Sequence, residues 1–127
     1  HSDGDAVLHA LADALLGAAA LGDIGEHFPG DAKNKNRPSV EILEETVRKI
    51  WDRGYLVVNV DIMVMAEKPK LAPYRDQMRE VIAKTLNVEI YDVGVKATTA
   101  ERLGSIGRAE GIYCQAVALI KKSEEVS

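Results

Sequence analysis

Three residues near the start of the chain carry side chains that can bind a metal ion. Asp5, His9 and Asp13 are spaced four residues apart, so on a helix they lie along one face, one turn apart. Imidazole is a common zinc ligand, and a carboxylate can hold its second ring nitrogen. A solvated surface stripe with a capping aspartate has the same spacing. Because strong metal motifs contain two His or Cys at motif spacing, this pattern alone leaves both interpretations open.

Two later segments contain groups that can contact a ligand. In residues 22–25 (GDIG) an aspartate lies between glycines, which let a backbone approach a ligand closely; a helix C-cap with an Asx turn is the alternative. In residues 96–104 (KATTAERLG) a lysine, two threonines and a glutamate follow a predicted strand. Hydroxyls and amides suit phosphate oxygens and a carboxylate suits Mg²⁺, although the start of a capped helix would look the same.

Other reactive side chains have simpler interpretations. We predict that His27 is exposed to solvent and that Arg108 and Glu110 form an ordinary ion pair. Cys114 alternates within an apolar strand, which indicates a buried small hydrophobe rather than a nucleophile. Lys70 lies beside prolines in a segment that we interpret as an exposed turn.

Composition limits the class of protein. The 127 residues are 46% hydrophobic, which suits one compact domain with a core. With 20 acidic and 16 basic residues the net charge is −4, which argues against a general nucleic-acid binder. We see no secretory signal and no apolar stretch near the ~20 residues that span a bilayer. The single cysteine excludes an internal disulfide and indicates a reducing compartment, the cytoplasm.

Hydrophobic periodicity predicts the elements that position these residues. A first helix begins at an N-cap, Ser2 or Asp3, and ends before Gly22; a second, 40–53, is capped by Ser39. A third helix covers roughly 73–86. Alternating apolar residues predict strands at 55–64, 93–97 and 110–121, with a polar turn at 98–107. Apolar residues on both faces of the first strand indicate contact with a neighbouring subunit.

The inward-facing positions follow from the same periodicity. The predicted apolar stripe of the second helix consists of Leu43, Val47, Ile50 and Trp51, and that of the third of Met78, Val81, Ile82 and Leu86. Three helices and three strands in this order predict an α+β fold, with a small mixed sheet covered by helices.

The motif segments together resemble the 2-C-methyl-D-erythritol 2,4-cyclodiphosphate synthase family. Residues 1–29 (HSDGDAVLHALADALLGAAALGDIGEHFP) resemble its signature block. Residues 66–73 (AEKPKLAP), 96–104 and 107–119 (GRAEGIYCQAVAL) resemble its later blocks in the same order. The resemblance implies a homotrimer of the bacterial cytoplasm with active sites at the subunit interfaces. It also implies that the enzyme converts 4-diphosphocytidyl-2-C-methyl-D-erythritol 2-phosphate to the cyclic diphosphate and releases CMP.

The resemblance implies two divalent cations. His9 matches a ligand of the transition metal, zinc or manganese, and Glu101 matches the carboxylate on the magnesium side. Thr99 and Glu101 are thereby the catalytic candidates.

The resemblance also implies substrate contacts. The matching positions are His1 and Ser2 at the diphosphate, Asp23 and Gly25 at the methylerythritol portion, Ala66, Lys70 and Leu71 in a loop whose backbone reads cytosine, Thr98 and Thr99 at the phosphates, and Arg108 with Glu110 near the trimer axis.

The start of the chain departs from the family pattern. The resemblance places two further zinc ligands, an Asp-x-His pair, on a strand before residue 1, and the chain opens at His1 without an initiator methionine. We therefore expect one domain, 1–127, without its N-terminal strand, and no turnover until that segment is restored. The family also has a second Asp-rich turn after Phe-Pro, which here reads Phe28, Pro29, Gly30 and Asp31. A truncated inactive cyclase and a non-catalytic ligand-binding α+β module remain the alternatives.

Overall fold

The structure is a computed structural model. It describes residues 2–30, 36–67, 71–108 and 111–124, with Ser2 and Asp3 described by their backbone only. His1, Lys70 and Glu110 lie outside the described residues, so their predicted roles remain predictions, as does the ion pair between Arg108 and Glu110.

The elements alternate between helices and strands. In chain order they are α1 (Ser2–Ala18), α2 (Ile24–His27), α3 (Ser39–Asp52), β1 (Tyr55–Met65), a 3-10 turn (Ala72–Tyr74), α4 (Arg75–Leu86), a 3-10 turn (Ile90–Asp92), β2 (Val93–Thr98), α5 (Gly104–Gly107) and β3 (Tyr113–Lys122). Among the described residues, none of these helices has both the length and the apolar character needed to cross a membrane.

The strands form a mixed sheet, which confirms the predicted α+β class. β1 is central; it pairs in parallel with β2 and antiparallel with β3. Helix α1 packs on β3 and α3, and α4 packs on β2. One face of the sheet is therefore covered by helices, while Val117 and Leu119 on the other face are 64% and 55% exposed.

A β-bulge in β1 changes the predicted alternation. The register with β3 shifts between Val57 and Asn59, so Val58 is the extra residue. Before the bulge, Tyr55 and Val57 pack against the core and Leu56 is exposed. In the sequence Leu56 alternates in phase with Val60, Ile62 and Val64, but the bulge breaks this phase, so Leu56 lies on the exposed side. Beyond the bulge, Val60, Ile62 and Val64 are buried.

Helix α1 ends through its backbone rather than at a glycine. Ala20 has a φ of 58°; its amide donates to the Gly17 carbonyl, and the Leu21 amide donates to the Leu16 carbonyl. This is the Schellman arrangement, with alanine at the left-handed position where glycine is more common. The predicted stop at Gly22 is thus a few residues too late.

The structure corrects three sequence predictions: the inward-facing positions of Trp51 and Val81, and the role of Ser39 as a helix cap. Trp51 is 58% exposed and Val81 42% exposed. On α3 the buried positions include Ile42 and Thr46 instead. Ser39 is the first helical residue, while Pro38 occupies the N-cap and makes no side-chain cap bond. Ser39 is nevertheless buried, so its hydroxyl has another role.

Arg37, just before α3, contacts an aromatic ring and forms an ion pair. The Arg37 guanidinium lies 5.6 Å and the Lys49 ammonium 5.9 Å from the centroid of the buried Phe28 ring, at cation–π distance. Arg37 also donates to Glu45 at 3.0 Å. The hydrogen bond from Arg37 is the main cause that holds the pKa of Glu45 below its usual value; burial opposes it, and the positive charges of Arg37, Lys49 and Arg48 add to it.

The neighbouring residues Val81 and Ile82 test the corrected face of α4. Ile82 is fully buried, so Ile82→Ala should lower the free energy of unfolding by about 2–5 kcal/mol. Val81→Ala removes an exposed side chain and should change it by less than about 0.5 kcal/mol. Urea denaturation of both variants measures the difference, and equal losses would mean that both side chains face the core.

The lowered pKa of Glu45 predicts a pH-dependent contribution to stability. Because the folded-state pKa is lowered, the ion pair stabilises the fold above the unfolded-state pKa and loses that effect as pH falls through the folded-state value. At neutral pH, Glu45→Gln should cost up to about 1 kcal/mol, and the difference from wild type should shrink below the ordinary value of 4.5. Glu44→Gln, which removes the same charge from an exposed position of α3, is the control. A pH-independent difference for Glu45→Gln in urea titrations would contradict the ion-pair origin.

Candidate functional site

The polar face of α1 is tied to two other segments. Asp5, His9 and Asp13 are exposed, but each has a partner. The Ser39 hydroxyl lies 2.9 Å from the Asp5 Oδ1 atom and 3.1 Å from the His9 Nε2 atom. The Ile24 amide donates to Asp13 at 2.9 Å. These contacts link the polar face of α1 to the start of α3 and to the GDIG turn, and the metal-ligand interpretation of the spacing stays a prediction.

Aspartates order the GDIG turn. Asp13 accepts the Ile24 amide from α1, and Asp23 is the N-cap of α2, where its Oδ1 accepts the Glu26 amide at 2.9 Å. Gly22 has a φ of 94°, and a Cβ there would collide with the Glu26 carboxylate. The turn is therefore held at both ends, and the predicted Asx-type contact forms at the start of a helix rather than at a C-cap.

These contacts place His9 and Gly25 in one cleft. The cleft has a volume of about 270 Å³ and is lined by His9, Ile24, Gly25, Phe28, Pro29, Gly30 and Ile42. An exposed imidazole and a glycine backbone thus face a common space beside apolar walls. Such a space can accept a small polar molecule that is anchored at the imidazole.

His27 differs from its predicted state. Its ring is half-buried, and Nε2 lies 2.7 Å from the Leu21 carbonyl oxygen. A carbonyl only accepts, so Nε2 carries the proton and donates. The prediction of a solvent-exposed His27 is wrong, because its ring closes the turn between α1 and α2.

A second cluster forms where β2 ends beside β1. The Ala66 amide donates to the Thr98 carbonyl at 3.0 Å, and the Arg102 amide donates to the Glu67 carboxylate at 3.3 Å. These bonds join the segment after β1 to the turn after β2. Ala66 and Leu71, the predicted contacts at either end of that segment, are buried.

The turn after β2 has an unusual backbone. Glu101 and Arg102 have φ values of 53° and 62°, a left-handed conformation that costs non-glycine residues about 1–3 kcal/mol each. A Cβ at Gly107 would collide with the Arg102 backbone, so glycine permits this tight return. Consecutive strained residues of this kind cluster at functional sites.

Threonine and glutamate side chains of this turn face solvent. Thr98, Thr99 and Glu101 are all exposed, and the Thr99 hydroxyl oxygen accepts the Glu101 amide at 3.3 Å. Within the described part of the chain, the Thr99 hydroxyl donates to no other group, so its hydrogen can reach an external acceptor.

The predicted residues therefore form two groups in one chain. His9 and Gly25 line the cleft, and Asp23 caps the helix beside it. Thr98, Thr99 and Glu101 form the second group with Ala66. In residues 2–30, 36–67, 71–108 and 111–124, no hydrogen bond or ion pair joins the two groups, and no cluster of three His, Cys, Asp or Glu forms a metal site. Arg108 lies at the end of α5, where its amide donates to Gly104.

Sequence reasoning missed Ser39. Its position after proline and before an apolar stripe is that of a helix cap, and nothing local distinguishes it from one. Its contact with His9 spans 30 residues of sequence, so only the packing of α1 against α3 reveals it.

Comparison with known proteins gives a consistent answer. The sequence profile of the YgbB family matches residues 1–121. A 2-C-methyl-D-erythritol 2,4-cyclodiphosphate synthase of Glaesserella parasuis is 58% identical over 123 residues, 96% of this chain and 74% of that protein.

Solved structures agree in fold. The bifunctional IspDF of Campylobacter jejuni superposes with a TM-score of 0.88 at 44% identity; the match covers 92% of this chain but only 32% of that larger one. The Plasmodium falciparum IspF in its CDP complex superposes with a TM-score of 0.82 at 34% identity, over 94% of this chain and 72% of that one. The chain therefore belongs to the YgbB family, that of the 2-C-methyl-D-erythritol 2,4-cyclodiphosphate synthases.

Proposed function

We propose that this chain is a cyclodiphosphate synthase subunit. It converts 4-diphosphocytidyl-2-C-methyl-D-erythritol 2-phosphate to 2-C-methyl-D-erythritol 2,4-cyclodiphosphate and releases CMP. The observation that carries this proposal is the cleft in which an exposed His9, held by Ser39, faces the backbone of Gly25. The chain's family and the CDP bound by a relative of the same fold support it.

The reaction needs no protein nucleophile. An oxygen of the substrate's 2-phosphate forms a bond to the β-phosphorus, and the bond from that phosphorus to the oxygen bridging to the α-phosphate breaks. The electron pair leaves with CMP. The protein must therefore fold the substrate so that attacking and leaving oxygens are in line, and must stabilise the charge on the phosphoryl oxygens.

The two groups of residues suit the two ends of this substrate. Gly25 lines the cleft of about 270 Å³, and Asp23 caps the helix beside it. The turn after β2 that contains Thr98 and Thr99, the threonine turn, offers the Thr99 hydroxyl to phosphate oxygens. The buried Ala66 and Leu71 leave backbone groups to recognise the cytosine. Because no hydrogen bond or ion pair joins these groups within the described chain, we propose that a site combines them from adjacent subunits of a homotrimer.

His9 and Glu101 are the proposed metal ligands. An exposed imidazole with one ring nitrogen held by a hydroxyl fits a zinc or manganese ligand, and the exposed Glu101 carboxylate fits Mg²⁺. Bound cations would neutralise the phosphate oxygens and act as Lewis acids. Among the described residues, no group of three His, Cys, Asp or Glu forms around His9, so we propose that ligands outside that part of the chain complete the transition-metal site.

The activity and the metal role of His9 are tested together. The complete protein, incubated with substrate, Zn²⁺ and Mg²⁺, should release CMP and the cyclic diphosphate in equal amounts by ³¹P NMR. His9→Ala should lose both turnover and tightly bound zinc, because the remaining ligands hold the ion poorly. His27→Asn, which removes a half-buried imidazole outside the cleft lining, should retain zinc. Undiminished zinc in His9→Ala would show that His9 is not a ligand, and absence of CMP release by wild type would overturn the function.

Recognition of cytosine by backbone is tested at Glu67. Glu67→Gln keeps an oxygen that can accept the Arg102 amide but removes the charge. CMP affinity, measured by calorimetry on the complete protein, should change less than tenfold, about 1.4 kcal/mol. A larger loss would mean that the carboxylate itself reads the base.

The homotrimer is tested through the uncovered face of the sheet. Sedimentation equilibrium of the complete protein at micromolar concentration should give three times the subunit mass. Val117→Lys places a charge on the exposed apolar face and should shift the equilibrium toward monomer, whereas Val81→Lys on the helical layer should not. Only monomer mass for wild type would contradict the assembly.

A further inference from the structure

We propose that Ser39 is a positioning residue that determines which ring nitrogen of His9 carries the proton. The Ser39 hydroxyl lies between two side chains of α1, 2.9 Å from the Asp5 carboxylate and 3.1 Å from the His9 Nε2 atom. The three groups form a chain of two hydrogen bonds that links the second long helix of the fold to the polar face of the first.

The direction of these hydrogen bonds follows from which of the three side chains carries a hydrogen to donate. A hydroxyl has one hydrogen, and an ionised carboxylate can only accept. The Ser39 hydrogen is therefore donated to Asp5. The Ser39 oxygen then accepts from His9, so Nε2 of His9 carries a hydrogen. The reverse assignment would place two oxygen acceptors 2.9 Å apart with no hydrogen between them.

The position of Ser39 makes this arrangement specific. Its side chain is buried, and as the first residue of α3 it has no preceding turn of that helix whose carbonyl its hydroxyl could bond. Thr46 shows the contrast: it is also buried on α3, but its hydroxyl donates to the Ile42 carbonyl one turn earlier. The Ser39 hydroxyl is thus satisfied by α1, and an unmatched buried hydroxyl would cost free energy.

The consequence concerns the second nitrogen of His9. With Nε2 protonated, the neutral ring carries its lone pair on Nδ1, and the ring rotation is held by the bond to Ser39. This inference rests on the proposed role of His9 as a metal ligand, and it names Nδ1 as the ligand atom and Ser39 with Asp5 as the groups that orient it. Outer partners of this kind change metal affinity by about 10–100-fold when removed.

The experiment reads the tautomer directly and needs no metal. Protein labelled with ¹⁵N-histidine is studied metal-free at about pH 8, above the usual histidine pKa, by long-range ¹H–¹⁵N correlation. His9 is assigned from the spectrum of His9→Gln. Ser39→Ala removes the hydroxyl, Ser39→Thr retains one, and Thr46→Val removes a buried hydroxyl from the same helix without contact to His9.

A single Nε2–H tautomer for His9 is expected in wild type, Ser39→Thr and Thr46→Val. Ser39→Ala should give a mixture of tautomers. In the complete protein, its Zn²⁺ affinity, measured by chelator competition, should be about 10–100-fold lower, while Thr46→Val binds as wild type. A predominant Nδ1–H form in wild type overturns the proposal, and so does a Ser39→Ala variant whose His9 tautomer is unchanged, whatever its affinity.

The two proposals fail in different ways. If wild type binds no Zn²⁺ but shows the tautomers described, the positioning role of Ser39 stands and the metal role of His9 is overturned. If Zn²⁺ binds through His9 but the tautomer is insensitive to Ser39, the metal role stands and the positioning role is overturned.

Discussion

The burial of one face of α1 is the constraint on which the candidate site depends. Val7, Leu11 and Leu15 are fully inaccessible and pack in the core with residues of α3 and the sheet. Burying side chains of this size stabilises the fold by about 1.5–3 kcal/mol each, so the rotation of α1 about its axis is strongly determined. Its opposite face, with Asp5, His9 and Asp13, consequently has a fixed position beside Ser39 at the start of α3 and beside the GDIG turn.

Polar contacts then convert this orientation into local geometry. Asp13 holds the Ile24 amide, which brings Gly25 to the cleft, and Ser39 holds His9 at the same cleft. Each hydrogen bond contributes about 1 kcal/mol, which is small compared with the burial of α1. The hydrogen bonds therefore select the orientation of side chains on a framework that hydrophobic packing has already established.

The second group of predicted site residues, Thr98, Thr99 and Glu101 with Ala66, is positioned by a strained turn. The turn after β2 places Glu101 and Arg102 in left-handed conformations, at a cost that the two bonds to Ala66 and Glu67 partly offset. Those bonds connect the turn to the end of β1, the central strand. A strained turn anchored at the edge of a rigid sheet keeps its exposed hydroxyls and carboxylate in place, which an unanchored loop of the same sequence would not.

Local patterns in the sequence predict the helices and strands well, but they predict poorly how these elements pack on one another. The apolar spacing of α1 and the alternation of β3, in which Cys114 and Ala116 face the core, depend on neighbours a few residues away. The bulge at Val58 and the exposure of Trp51 depend on how one element lies on another, and periodicity carries no such information. Ser39 is the clearest case, since the same residue serves as a helix cap or as a partner of His9 depending on the packing of α1 against α3.

The uncovered face of the sheet follows from the same architecture. All the long helices lie over one face, so alternate residues of β3 such as Val117 and Leu119 have no covering layer within the described chain. Beside them, Asp61 of β1 pairs with Lys96 of β2 at 2.8 Å. An exposed pair of this kind contributes little stability. An apolar strand face beside such a pair is more stable when another surface covers it. Assembly through this face would remove that apolar area from water, which favours association.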